Sequence, residues 1–345
     1  MSAATTTAAT AGFAARFPLA QDKRFFRQAQ GLTISSLGIG TYLGPMTDEA
    51  DTSYSQAILS AVEGGINFID TSLNYRHQRS ERAIGAALRR IPGREEIVLC
   101  TKAGYLVPGA TPALPETETA GGMHCISPAF LEDQLTRSLK NLGVETIDVF
   151  YLHNPETQLR YIDHETFQRR ITAAFEKLES LASGGRIRYY GAATWDGFRR
   201  NGQPGSLSIL HMAALARGIA GDGHRFRFIQ LPFNLAMVEA YGQRAEASAG
   251  RRISVLDAAR DEGITVIASA SLSQSRLSSG LPEQLAAKLE STGPDAVSAI
   301  QFARSAPGIT TALVGMGNPE HVRENLAIAS FPPLSAERFE SLFST

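Results

Sequence analysis

From residue 35 onward, short apolar runs alternate with longer segments of helical period. Runs rich in Val, Ile and Leu occupy residues 36–40, 67–71, 97–102, 149–153, 187–192, 226–231, 265–269 and 311–314. Most are apolar at consecutive positions, the pattern of strands buried on both faces in a helix-covered parallel sheet. Between them, Ile171, Phe175, Leu178 and Ala182 repeat at helical spacing and present one stripe to such a sheet. Ser127-Pro128 and Asn318-Pro319 each offer a capping side chain followed by proline at the first helical position. Gly143, Gly185 and Gly263 each precede a strand, where a helix ends in a left-handed residue. Eight βα units without a linker predict an α/β fold, a single (β/α)8 TIM barrel, for which about 250 residues is typical.

The surplus length is predicted to lie at the edges of this barrel. Residues 1–22 begin with an Ala/Thr-rich stretch and are expected to form a frayed or disordered tail, leaving the barrel to residues 23–345. Residues 23–32 suggest a hairpin across the amino-terminal mouth, and 334–343 a terminal helix. The long loop after strand three, 106–126, is rich in Gly, Pro and Thr; its position predicts a wall of a substrate pocket.

Composition narrows the class. The 345 residues carry a formal net charge of -1 with dispersed cations, which argues against a nucleic-acid or anionic-membrane surface. Two cysteines provide no disulfide framework, and no apolar run reaches the roughly 20 residues of a membrane helix, so a cytoplasmic location is expected. His124-Cys125 lacks a matched second pair, so no metal is expected. The run 38–44 imitates a dinucleotide fingerprint but has its third glycine one residue late and no helix opening behind it.

The chemistry lies at the strand ends. Asp70, Lys102 and His153 end the second, third and fourth runs, and Tyr75 follows Asp70 in the adjoining loop. Neighbouring strands lie about 4.8 Å apart, so these groups can meet at the carboxyl face, where barrel strands present their reactive side chains. A free phenol is a poor acid at neutral pH, and an adjacent ammonium makes proton donation easier. Lys102 is placed for that role, Asp70 to hold the lysine charged, and His153 to hydrogen-bond a substrate oxygen. Carbonyl reduction or alcohol oxidation fits such a set and demands a hydride carrier. The run 314–321 leads from strand eight into a capped helix with glycines for close backbone approach, and 271–276 is a polar loop with one cation. Barrels often bind phosphate between these two loops, which marks Ser271, Ser273, Arg276 and Gly315. Tyr42, Arg76, Tyr105, Asn154 and Trp195 are placed to line a substrate pocket.

These residues resemble an aldo-keto reductase over roughly residues 23–330. The likeness rests on Gly38-x-Gly40-Thr41, Asp70-Thr71-Ser72-x-x-Tyr75 with Ser80-Glu81, Thr101-Lys102, Leu152-His153, and Gly315-Met316 followed by His321-Val322-x-Glu324-Asn325-Leu326. The resemblance implies Asp70, Tyr75, Lys102 and His153 as a catalytic tetrad with Tyr75 as acid/base. It also implies NADP(H), with NAD(H) as the variant, extended along the carboxyl face near Thr41, Thr194, Gln230, Ser271, Ser273, Arg276, Gly315, Met316, Gly317, His321, Glu324 and Asn325. A small carbonyl or alcohol would be the substrate. Four positions depart from the usual pattern: Arg76 replaces a common glycine, Thr194-Trp195 replaces Ser-Asn, Ser269-Ala270 stands where an aromatic ring is usual, and His321 replaces arginine. The alternatives are a cofactor-binding regulatory or interaction subunit with little turnover on the same fold and, behind it, a two-domain dinucleotide-fold dehydrogenase.

Overall fold

Each of the eight apolar runs forms a barrel strand in the computed structural model, which describes residues 4–200 and 202–344. The strands are β1 (Leu37–Gly40), β2 (Phe68–Asp70), β3 (Val98–Ala103), β4 (Ile147–His153), β5 (Ile187–Ala193), β6 (Phe226–Pro232), β7 (Thr265–Ser269) and β8 (Ile309–Gly315). All neighbours are parallel, and β6 against β5 closes the barrel. The register sets Gly40 beside Asp70, Asp70 beside Cys100, Lys102 beside Tyr151, and Ala193 beside both His153 and Gln230. The sequence-marked groups therefore share one end.

Inside the barrel, Phe68, Val98, Cys100, Val149, Tyr151, Phe228, Ile267 and Leu313 form one core, while a larger one lies between strands and helices. The strands read as continuous apolar runs because they contribute to both. Gly143, Gly185 and Gly263 take the predicted positive φ, and Asn318 caps its helix by accepting from Glu320 N at 2.8 Å. Ser127 occupies the predicted cap position, but its side chain makes no capping bond. Among the described residues, no helix is long and apolar enough to cross a membrane.

For residues 4–22 the amino-terminal mouth corrects the expectation of a frayed tail, residues 1–3 lying outside the described residues. Thr7–Ala15 is a helix, capped by Thr6, with Phe13 fully buried against Phe17 and Phe26. Thr5 N donates to Asp148 Oδ1 at 3.1 Å, and the buried Arg94–Asp148 pair secures the same corner. A single phenylalanine among Ala and Thr shows no amphipathic period, so its anchoring role depends on a distant surface. Behind this helix Phe26–Ala29 and Leu32–Ser35 form the expected hairpin, displaced toward higher numbers. Its two-residue turn has positive φ at both Gln30 and Gly31, the geometry that matches strand twist. The terminal segment coils at Ala336–Glu340 and Ser341–Phe343.

Candidate active site

Strand geometry delivers Asp70 and Lys102 into the barrel's carboxyl end. Lys102 Nζ lies 2.5 Å from Asp70 Oδ2 and donates to Thr71 O at 2.8 Å; both residues are buried. Gln230 Nε2 donates to Asp70 Oδ1 at 2.9 Å, so both carboxylate oxygens are engaged. Burial is the largest influence on Asp70 and raises its pKa, while Lys102 and Gln230 oppose the rise. A charged pair this deep is retained only with such compensation.

The loop after β2 brings Tyr75 over this pair, with Lys102 Nζ 5.2 Å from its ring centroid. Tyr42 lies against one side of the phenol at 4.9 Å and His153 edge-on at 5.7 Å. Burial, followed by the Asp70 carboxylate, pushes the Tyr75 phenol well above 10. This corrects the expectation that Lys102 eases its ionisation in the free protein. The ammonium is already neutralised by Asp70, and desolvation of the phenolate prevails.

His153 ends β4, with Ser72 Oγ 3.1 Å from its Nδ1. Burial first, then the Lys102 and His124 charges, holds it well below 6.5. His124 is pushed down to about 4, again mainly by burial. A histidine held neutral when folded loses stability as pH falls, because only the unfolded chain gains its proton below about 6.5. Asp70, Glu81 and Glu156, raised by burial, act in the opposite direction. The contribution of His124 is therefore read as a difference. Between pH 6.5 and 4 the wild type should lose up to about 1.4 kcal/mol per pH unit relative to His124→Gln. Parallel melting-temperature curves for the two proteins would contradict this.

A cavity of about 530 Å³ opens above these groups. It is lined by Thr41, Tyr42, Asp70, Asn74, Tyr75, Tyr105, His153, Asn154, Thr194, Trp195, Gln230, Ser271 and Gly315, among others. The volume lies within the usual range of small-molecule sites. Sequence reasoning missed Leu43, Asn74, Leu272, Gln274 and Ser275 among the lining residues, since a loop residue's direction is not written in its type.

Several marked residues lie elsewhere. Arg76 is not a pocket residue. Left-handed backbone at Arg76, His77 and Gln78 turns the chain, and the guanidinium bonds Pro45 O and Asp51 Oδ1, each at 2.6 Å, over the Tyr54 ring. It fastens the loop after β1. Residues 106–126 contribute nothing to the cavity lining. Thr119–Ala120 and His124–Cys125 instead pair as a small hairpin that returns to the end of β3, where Cys125 N donates to Gly104 O at 2.7 Å. Ser273, Arg276, Met316, Gly317, His321, Glu324 and Asn325 also lie outside the cavity. Met316 is fully buried in the core, and Gly317 packs where a Cβ would lie 2.9 Å from the Tyr54 ring. Arg276, His321 and Glu324 are exposed on the same end of the barrel.

Glu156, unmarked in the sequence, supports the cavity from below. Its Oε1 accepts from Trp195 N at 2.7 Å and from the next two backbone amides, fixing the loop that carries Trp195. Glu81 is likewise buried, accepting from Thr101 Oγ1 and Asn141 Nδ2 at 2.8 Å each.

Comparison with known proteins agrees with the fold. Residues 36–201 match the aldo/keto reductase family. The chain is 30% identical to the NADH-specific methylglyoxal reductase of Escherichia coli over 186 residues, 52% of this chain and 55% of that protein. The alignment thus spans about half the length of that relative. A putative voltage-gated potassium channel subunit beta of Schizosaccharomyces pombe is 24% identical across 89% of this chain and 88% of its own. The aldo/keto reductase of Klebsiella pneumoniae, solved with NADP and acetate, superposes with a TM-score of 0.64 at 19% identity, over 93% of this chain and 94% of that one. The order of the motifs along the chain, the closed barrel and the family match lead to one conclusion: residues 36–201 match the aldo/keto reductase family, on a chain whose fold is that of the solved aldo-keto reductases.

Proposed function

We propose that the protein is an NADP(H)-dependent oxidoreductase that interconverts a small aldehyde or ketone and its alcohol. The observation that carries this reading is the convergence of Asp70, Tyr75, Lys102 and His153 beneath one open cavity. The cavity suits a nicotinamide cofactor: Ser271 Oγ is buried there without a hydrogen-bond partner, and Gly315 leaves open space where a Cβ would lie. Thr41, Thr194, Gln230, Ser271 and Gly315 would hold the reactive end. Ser273, Arg276, Gly317, His321, Glu324 and Asn325 are assigned to the phosphate and adenine end. NADP(H) is favoured by the Klebsiella reductase's bound cofactor, and the NADH-specific Escherichia coli relative makes NAD(H) the variant. A bound reduced nicotinamide supplies hydride to the carbonyl carbon.

The chain's residues handle the oxygen. Tyr75, kept protonated, donates its proton to the alkoxide oxygen as the new C–H bond forms. Lys102 lies beneath that phenol, able to stabilise the phenolate left behind, and Asp70 orients Lys102 through their 2.5 Å ion pair. Neutral His153 faces the carbonyl oxygen from the end of β4, its Nδ1 3.1 Å from Ser72 Oγ, a hydroxyl that itself donates to Asn74 Oδ1 at 2.6 Å. Tyr42, Tyr105 and Trp195 surround the carbonyl compound with apolar faces, with Asn154 at its polar edge.

A second reading, a cofactor-binding regulatory subunit, is favoured by the nearly full-length match to the channel subunit. One titration separates the two. Trp195 is the sole tryptophan and lines the cavity, so NADPH should quench its fluorescence. The enzyme reading further expects NADPH consumption with a panel of aldehydes and ketones, at a turnover of about 1 s⁻¹ or faster. Quenching without turnover would instead support the regulatory reading.

A further inference from the structure

We propose that His124, from the long loop after β3, is a positioning residue for His153 and acts through the backbone carbonyl of that residue. The inference rests on the reading of His153 as the group that faces the carbonyl oxygen.

His124 is fully buried, and both of its ring nitrogens are engaged. Nε2 lies 2.7 Å from His153 O, and Nδ1 lies 2.9 Å from Gln158 Nε2. The direction of each bond follows from the end of the chain. Arg170 bonds Gln158 Oε1 and also reaches Thr117 O and Thr119 O. A guanidinium only donates, so the Gln158 oxygen accepts and its amide nitrogen faces His124. His124 Nδ1 therefore accepts, and the ring proton resides on Nε2, where it is donated to His153 O. The low pKa of His124 accords with a neutral ring in this tautomer.

The packing leaves little freedom at this point. A Cβ on Gly104 would fall 2.4 Å from His153 O and 2.7 Å from His124 Nε2, so only glycine admits the bond. Tyr105 stands edge-on to both rings, 5.2 Å from His124 and 5.1 Å from His153, and its hydroxyl accepts from Asn154 Nδ2 at 2.9 Å. Asn154 adopts left-handed backbone with φ 49, directly after His153. The chain reverses its backbone sense at the residue following the reactive group, and His124 holds the carbonyl on that hinge. Without this donor, the peptide plane between His153 and Asn154 is held from one side only, by Asn154 N donating to Ala193 O at 2.6 Å, and its carbonyl can tilt and carry the imidazole with it. The 106–126 loop thus serves the site from behind.

Two polar substitutions separate positioning from mere packing. A glutamine amide nitrogen falls near the position of histidine Nε2, whereas that of asparagine falls near Nδ1, so His124→Gln keeps the bond to His153 O and His124→Asn loses it. His124→Asn is expected to lower kcat for carbonyl reduction about 10- to 100-fold, with the NADPH Kd unchanged. His124→Gln should stay within about threefold of wild type. The His153 ring resonances, followed by NMR in the same proteins, should be displaced in His124→Asn and restored in His124→Gln. Equal losses in both variants, or wild-type kcat and His153 resonances in His124→Asn, would overturn the proposal. If wild-type protein binds NADPH without turnover, the functional reading fails, and the resonances alone decide the role of His124.

Discussion

Tyr75→Phe is expected to lower turnover by about 10²- to 10⁴-fold, the usual worth of a positioned general acid, while NADPH still quenches Trp195. The phenol is partly buried at the cavity, and desolvation with the nearby Asp70 carboxylate holds it well above its ordinary pKa, so it carries its proton at neutral pH. Removing the hydroxyl leaves the ring in its contacts with Tyr42 and His153, and the fold should not register the change. Stopped-flow absorbance of NADPH with a reactive aldehyde measures the loss. A rate within tenfold of wild type would assign the proton to another group.

Lys102→Met should have the largest effect on stability. Lys102 has no exposed surface, and its ammonium neutralises a nearly buried carboxylate at 2.5 Å. Removing one member of a buried pair leaves the other uncompensated, which typically costs about 3–5 kcal/mol. Asp70→Asn together with Lys102→Met removes both charges, and most of that loss should return, while activity should not. Urea melts of the two single variants and the double variant give the coupling directly. A double variant as unstable as the sum of the single ones would show that the pair is not acting as a unit. Recovered activity would separate it from catalysis.

The architecture was readable because strands buried on both faces announce themselves as uninterrupted apolar runs. The four ionisable groups were readable because each lies at a strand end or just beyond it. What escaped depended on long-range partners. Arg76 followed Tyr75 and looked like a pocket residue, yet three consecutive left-handed residues direct it to Pro45 and Asp51. Residues 106–126 were expected to wall the cavity, but pairing with the end of β3 draws them behind it. Phe13 gave no periodic signal because its partners, Phe17 and Phe26, belong to other elements. His124 and Glu156 had no motif to mark them. Their importance comes from a backbone carbonyl and three backbone amides that no side-chain pattern records.

The central claim is tested most directly by isotope transfer. The protein is incubated with NADPH deuterated at C4 of the nicotinamide and a carbonyl compound that wild type turns over, and the alcohol is analysed by mass spectrometry and NMR. Deuterium on the former carbonyl carbon, formed by wild type and at least 10²-fold more slowly by Tyr75→Phe, is the predicted result. Alcohol without deuterium at that carbon, or no alcohol from any carbonyl tested despite NADPH quenching Trp195, would contradict it.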